Sequence, residues 1–327
     1  MGDINPNSFI KPTVVVDTAI GVLLRQIVLP SLVWRMDASE FQYAFDDTVT
    51  IRVDGVAIAR DRQLRDYNTP LELDTIAQTS VAVQLTTDIS SAVPLPDEQL
   101  LLDIQNFGRE ILVPQVKSVA LRTESHLAQL IETAPYQNTV TISDDNIYQA
   151  FVVAQTYLNK NNVPQEDRTL VVGPNVYAAL VSNEQFTNAA MAGDSMALRN
   201  GNIGLLGGMP VHLSNVIDAN SAYLFHQTAF VTANIAPLVP AGVPFGASQN
   251  GEGVALRWMR DYSSTYRKDR SILNTYWGGA YVPDNVILVD DYGNPILDSN
   301  GDLQTTSQFI RAVQLTYTGS LSGLDGS

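Results

Sequence analysis

The chain has 327 residues, of which 45% are apolar and 16% charged; this is a globular composition, long enough to bury a full core in one large domain or two ordinary ones. Nineteen Lys and Arg against 34 Asp and Glu leave a net charge of −15, which argues against sequence-independent gripping of nucleic-acid phosphates. There are no cysteines, so disulfides, cysteine-ligated zinc, iron–sulfur clusters and thiol nucleophiles are excluded.

The charged fraction is below the roughly 25% usual for soluble chains, which implies that neighbours cover much of the surface. Residues 1–12 are polar and read as a loose tail. The apolar run "TVVVDTAIGVLLRQIVLPSLVW" fails as a membrane span, because Asp17, Arg25, Gln26 and Pro30 interrupt it. It also lacks the basic start and small-residue cleavage site of a signal peptide. The spacing predicts a helix capped by Asp17 and running to about Leu29, with Ile20, Leu23, Leu24, Ile27 and Val28 on one side.

"DTVTIRV" (47–53) and "VAVQLTTDI" (81–89) alternate as half-buried strands. Between them lie 27 residues, Asp54–Ser80, rich in charge of both signs: Arg60, Asp61, Arg62, Arg65, Asp66, Glu72 and Asp74. A compact domain rarely keeps so long a connection without a use, so this pair reads as an arm reaching another subunit.

Asp97 to Glu132 then read as one long helix, roughly 54 Å at about 1.5 Å per residue. Leu100, Ile104, Phe107 and Ile111 begin its apolar stripe, and Val116, Val119, Ala120, Leu127 and Leu130 continue it. Pro114 is expected to kink it.

An α/β block follows. A helix capped by Ser143 carries Ile147, Ala150, Phe151, Ala154 and Leu158 on one face, and "RTLVVGP" is a short buried strand leading into the helical "NVYAALV". Strands are expected at Val211–Val216 and at Ala222–Ala233, the latter as one element. Pro237, Pro240 and Pro244 mark a linker-like exit, and the remainder is mostly β.

Candidate chemistry is sparse. Gly201, Gly204, Gly207 and Gly208 form G-x-x-G-x-x-G-G, but a phosphate cradle needs a strand before the glycines and a helix after them. Here the glycines precede the strand and no lysine completes them, so tight turning is their expected role. His126, His212 and His226 lack any paired ligand spacing, and "DSNGD" (298–302) places its glycine too early for a calcium loop. Residues 257–270 hold five of the 19 basic residues. Strand alternation would split these over two faces, so Arg257, Arg260, Asp261, Arg267 and Lys268 read as inter-subunit ion-pairing residues. No catalytic constellation, cofactor site or metal site emerges.

The segments "DTVTIRVDG", "SVAVQLTTDIS", "PDEQLLLDIQNFGREILVPQVKSVALRTE", "TLVVGPNVYAALV", "IGLLGGMPVHLSN" and "ALRWMRDYSSTYRKDRSILNTYWGGAYV" stand in a distinctive order. That order resembles the major capsid protein of tailed double-stranded DNA phages, the Hong Kong 97-type fold. Within it the likeness is to the coat-protein branch of the short-tailed Salmonella phages, as found in actinobacterial phages. An encapsulin-like shell protein is the structural alternative, and a nucleotide-binding α/β enzyme the chemical one.

The resemblance implies an α+β fold and a non-enzymatic subunit that assembles with itself, as hexamers and pentamers, into an icosahedral shell around packaged DNA. It implies an N-terminal arm (1–44), an extended hairpin loop (45–93), and a peripheral domain with a spine helix (94–142). An axial domain (143–236), a return β segment (237–286) and a C-terminal extension (287–327) of unassigned role complete the chain. The interface residues it implies are Arg60, Arg62, Arg65, Asp66 and Glu72 in the loop, with Arg257, Arg260, Asp261, Arg267 and Lys268 further on. It further implies a separate scaffolding protein, a portal, a decoration protein, no cofactor, no membrane partner, and a place in the virion after assembly in the host cytoplasm. The family's namesake welds a loop lysine to an asparagine; residues 54–80 contain no lysine, so such cross-linking is not expected here.

Overall fold

The structure is a computed structural model that describes residues 12–24, 27–36, 41, 47–59, 63–65, 76, 78–95, 108–182, 205–243, 245–251, 254–265, 268–290, 295–298 and 303–319. These fall into two compact units, one of residues 1–49, 83–133 and 230–280, the other of 50–82, 134–229 and 281–327.

The first unit is built on a sheet in the order β1-β9-β12-β11-β10, with β3 also paired to β12 and β2 to β3. The strands of this sheet are β1 (Trp34–Met36), β2 (Thr48–Val53), β3 (Thr79–Leu95), β9 (Phe230–Ile235), β10 (Phe245–Gly251), β11 (Val254–Ser263) and β12 (Lys268–Tyr281), of which residues 50–53 of β2 and 79–82 of β3 belong to the second unit. Helix α1 (Pro12–Leu24) packs on β10, β11 and the long helix α2 (Val113–Glu132). Its buried residues, Val15, Val16, Ala19, Ile20 and Leu23, recur every three or four positions. The helix therefore begins before Asp17 and ends before Ile27. Proline suits its first turn, where the missing N–H would be unbonded anyway.

Of the expected 97–132 helix, residues 97–107 lie outside the described residues. A π-helical turn (Gly108–Leu112) leads into α2, and Pro114 stands in the first turn of α2, where it breaks no internal hydrogen bond. Val116, Val119, Ala120, Leu127 and Ile131 of α2 are buried.

The second unit carries a mixed sheet in the order β4-β15-β8-β5-β7-β6. These strands are β4 (Thr139–Ile142), β5 (Arg168–Val172), β6 (Leu205–Leu206), β7 (Met209–Leu213), β8 (Ser221–His226) and β15 (Ala312–Tyr317). Helices α3 (Ile147–Lys160) and α4 (Pro174–Ser182) contribute Phe151, Ala154, Leu158, Val176 and Leu180 to one core with Leu170, Val172, Leu224, Val313 and Leu315. A small ribbon, β13 (Asp284–Ile287) with β14 (Thr305–Gln308), precedes β15.

Two placements differ from the sequence reading. Ala222–Ala233 is two strands in different sheets: a 3-10 turn at Gln227–Ala229 separates β8 from β9, so the chain leaves the α/β block before its prolines. The polar His226, Gln227 and Thr228 interrupt the apolar run at the break, but the flanking buried strands look alike in sequence, so the interruption reads as part of one strand. The segment 287–327, expected as an extension, contains β15, which pairs in parallel with β4 and antiparallel with β8 inside the six-stranded sheet. In the α3 turn, Asn146 stands at the N-cap position and accepts the Ser143 backbone N–H, reversing the expected capping role of Ser143.

Candidate functional site

The hairpin arm takes shape from two alternating strands. Leu85 N–H donates to Asp47 O at one end of the β2–β3 ladder. At the other end Asn285, 8% exposed, uses both halves of its amide. Its Nδ2 donates to Asp54 O at 3.3 Å, and its Oδ1 accepts from Thr79 Oγ1 at 3.2 Å. These contacts hold Asp54 and Thr79 together at the neck of the hairpin. Within the hairpin loop Leu64 is 92% and Ile76 59% exposed. Arg65 takes a positive φ of 70°; Arg60, Arg62, Asp66 and Glu72 lie outside the described residues.

Helix α2 is anchored by a buried polar seam. Gln115 Nε2 donates to Ser91 O at 3.0 Å and Ser271 O at 2.9 Å, while its Oε1 accepts from Ser271 Oγ at 2.8 Å. Trp258 Nε1 donates to the same hydroxyl at 2.9 Å. One glutamine thereby links α2 to β3 and β12, with β11 tied in through the shared serine. Glu124, 9% exposed, accepts the backbone N–H groups of Val28 and Leu29. A carboxylate there satisfies donors that the first turn of a 3-10 helix leaves open. Both residues sit on the buried face of an amphipathic helix, and a polar side chain in that register was the available sequence signal.

The charged end of the β11–β12 hairpin is paired within the chain. Arg260 Nε donates to Asp269 at 2.9 Å, and Arg270 Nε to Asp261 at 3.0 Å. Adjacent positions put the two pairs on opposite faces, as alternation requires. Arg257 donates to Asn274 Oδ1 and to Leu238 O, Lys268 is exposed, and Arg267 lies outside the described residues. Where β12 meets β3, the register shifts between Trp277 and Gly278, and a Cβ on Gly278 would lie 2.2 Å from Gln84 O.

Gly207 and Gly208 join β6 to β7 as a two-residue loop with φ of 57° and 86°. Positive φ at both central residues belongs to the primed turns that match strand twist. Their role is geometric; Gly201 and Gly204 lie outside the described residues.

The histidines are held by packing. Burial keeps the His126 ring below its ordinary value, with Arg122 adding to this, and the ring stacks on Trp277 at 5.2 Å. Burial also lowers His212. Among the described residues no group of His, Asp and Glu could hold a metal, and no helix is long and apolar enough to cross a membrane.

The sequence matches a family described as phage capsid protein over residues 78–282, more than half of its length. The chain belongs to the phage capsid protein family. No curated protein matches it by sequence. Solved structures share its Hong Kong 97-type α+β fold. A Mycobacterium phage Che8 structure aligns at 20% identity and TM-score 0.58, covering 90% of this chain and 93% of its own. The capsid of cyanophage P-SCSP1u aligns at 12% and 0.60, covering 88% and 90%, and the mature capsid of bacteriophage PhiM1 at 11% and 0.59, covering 97% and 90%. This capsid protein is thus a structural subunit that assembles with its own copies in the virion.

Proposed function

We propose that this capsid protein closes an icosahedral shell from hexamers and pentamers around packaged double-stranded DNA, with no catalytic role. Residues 54–80 lie over the neighbouring subunit and bind it through ion pairs and burial, since they offer no lysine for a covalent weld. The observation that carries this reading is the hairpin loop itself. Its neck is clamped by Asn285, while Leu64 and Ile76 stay exposed in the isolated subunit. Residues 257–270 form a second contact region between subunits; Arg260 and Asp261 are paired there with Asp269 and Arg270 of the same chain and Arg257 bonds Asn274 and Leu238 O, which leaves Arg267 and Lys268 as the charges it offers a neighbour.

The net charge of −15 suits a container that must release its DNA. Assembly takes place in the bacterial cytoplasm on a separate scaffolding protein, and the shell carries a portal and a decoration protein. The 1–44, 45–93, 94–142, 143–236 and 237–286 segments serve as arm, extended loop, peripheral, axial and return elements.

Negative-stain microscopy and light scattering of the purified protein test this. Arg60→Glu, Arg62→Glu and Arg65→Glu together should leave the subunit folded, because substitutions away from a core usually cost little, yet prevent shell closure. Normal closure by that variant at physiological salt would overturn the loop's role. A monodisperse small monomer of the unaltered protein under every condition would overturn the shell reading.

A further inference from the structure

Strand β10 ends the seven-stranded sheet. It pairs with β11 along one side, from Phe245 opposite Arg260 to Gly251 opposite Val254, with no shift of register. In an antiparallel pair alternate residues turn their N–H and C=O groups away from the partner strand, so the far side of β10 carries a row of them. Ser248, Gln249 and Asn250 are exposed, and among the described residues no strand pairs with that side.

Natural proteins guard such an edge with shortness, charge, proline or a bulge. The other described edges follow this rule: β1, β4, β6, β13 and β14 have only two to four residues each, and β2 carries Arg52. Strand β10 has none of these guards. Its seven residues, FGASQNG, include no charge and no proline, and no Asp, Glu, Lys or Arg occurs anywhere from Ala219 to Gly251.

The segment before β10 runs beside it on one face of the sheet. Ala236 N–H donates to Asn250 Oδ1 at 3.1 Å. Arg257, opposite Ser248, donates to Leu238 O at 2.6 Å, and a Cβ on Gly246 would lie 2.7 Å from Val239 Cγ1. Leu238 therefore stands level with Ser248, the middle residue of β10, and it is 87% exposed.

We propose that β10 pairs antiparallel with β10 of a second copy of this chain, across a two-fold axis at Ser248, an inference that rests on the shell reading above. A two-fold contact brings the same patch of each copy together, and the chain assembles with its own copies. Among the described edges, only another β10 matches this one over its full length without bringing a charge. Pairing gives each outward N–H and C=O a partner. It also sets the two Leu238 side chains on the same face of the joined sheet, beside the axis, where each covers the other. Packaged DNA is not the occupant, since the patch offers its phosphates no cation.

The absence of cysteines makes cross-linking a direct test. Residues directly opposite in an antiparallel pair have Cα atoms about 4.5–5.5 Å apart, inside the limit of about 7 Å for a disulfide. Oxidised shells of Ser248→Cys should therefore give a dimer on a non-reducing gel. Asn250→Cys shells should give none, because the two copies of residue 250 lie four residues apart along the pair, roughly 13 Å. Ser248→Lys sets like charges opposite each other; it should yield a soluble, cooperatively unfolding subunit that fails to close shells, while Ser248→Ala closes them. Normal shells of Ser248→Cys without the dimer, or normal closure by Ser248→Lys, would overturn the pairing and leave the shell reading intact. No shells from the unaltered protein would sink both. In mixed shells of Ser248→Cys and Thr50→Cys, a bond between positions 248 and 50 with none between two copies of position 248 would assign the edge to β2 of the neighbour and overturn the two-fold pair.

Discussion

In the six-stranded sheet every residue of β5 and β8 is buried, and α3 and α4 cover one face with Phe151, Ala154, Leu158, Val176 and Leu180. Its polar groups stand at strand ends: Arg168 donates to Pro164 O, Val163 O and Asn159 Oδ1, and Tyr317 donates to Asp144. The seven-stranded sheet is built otherwise. Gln115, Ser271, Asn274 and Thr275 are each 2% exposed or less, and a polar seam runs between α2 and its strands. Volume holds the first sheet; the second adds directional bonds that fix one position of the spine helix on its strands.

The largest break in that comparison comes from Gly278. A valine there would place its Cβ 2.2 Å from Gln84 O and 2.8 Å from the Gln84 carbonyl carbon. The atoms it would meet are β3 backbone, which cannot yield as a side chain could, so Gly278→Val should prevent β3 and β12 from pairing. The expected result is insoluble protein or a subunit without cooperative unfolding. Soluble, cooperatively folding Gly278→Val would show that the bulge can relax.

The next contrast sets the two cores against each other. Leu224→Ala, in the packed sheet, should cost about 2–5 kcal/mol through a cavity, while the volume-conserving Leu224→Met should cost less than about 1.5 kcal/mol. Gln115→Leu also roughly conserves volume, yet it removes the Nε2 donor from Ser91 O and Ser271 O and the acceptor of the Ser271 hydroxyl proton, leaving that oxygen only its bond from Trp258. It should cost about 1–3 kcal/mol for the buried groups left unpaired. Urea unfolding of dissociated subunits measures all three. A Gln115→Leu cost no greater than that of Leu224→Met would remove the distinction between the sheets.

Much of this architecture is legible in the sequence. The 2-residue alternation of β2, the 3.6-residue stripe of α3 and the short apolar β5 each encode their own element, because local period and buried face coincide. What is not legible depends on partners remote in the chain. Gln115 looks like a break in an apolar stripe until Ser271, 156 residues on, supplies its partner. The switch of sheets falls on His226, Gln227 and Thr228, polar residues that exposed positions of one strand would explain equally well, and β15 is an ordinary apolar strand until β4 and β8 flank it. The charged residues of the β11–β12 hairpin show their sign but not their pairing, which the register of the two strands decides.

The smallest effect expected is a pH dependence centred on the six-stranded sheet. Burial holds His226 below its ordinary value, and Arg311 and Arg168 add to this against the opposing pull of Asp167 and Asp284. The geometry agrees: Thr228 N–H donates to His226 Nδ1 at 3.2 Å, so that nitrogen carries a lone pair and the ring is neutral. A second proton would face Thr228 N–H and stand beside Arg311, whose Nη1 donates to the Thr228 hydroxyl at 2.7 Å. The folded value lies below the unfolded value of about 6.5. The stability gained by keeping the ring neutral is therefore full above that pH and is lost as pH falls through the lower folded value. His212, in the same unit, shifts in the same direction. At the alkaline end Tyr317, buried and donating to Asp144, is pushed up to about 12, so its contribution is intact below about pH 10 and lost between there and about 12. Unfolding midpoints of the subunit measured from pH 8 down to 5, above the range where most carboxylates titrate, should fall for the unaltered protein. They should fall less for His226→Gln, whose amide oxygen can still accept from Thr228 N–H and does not titrate. Equal slopes for the two proteins would show that His226 contributes nothing to the acid sensitivity.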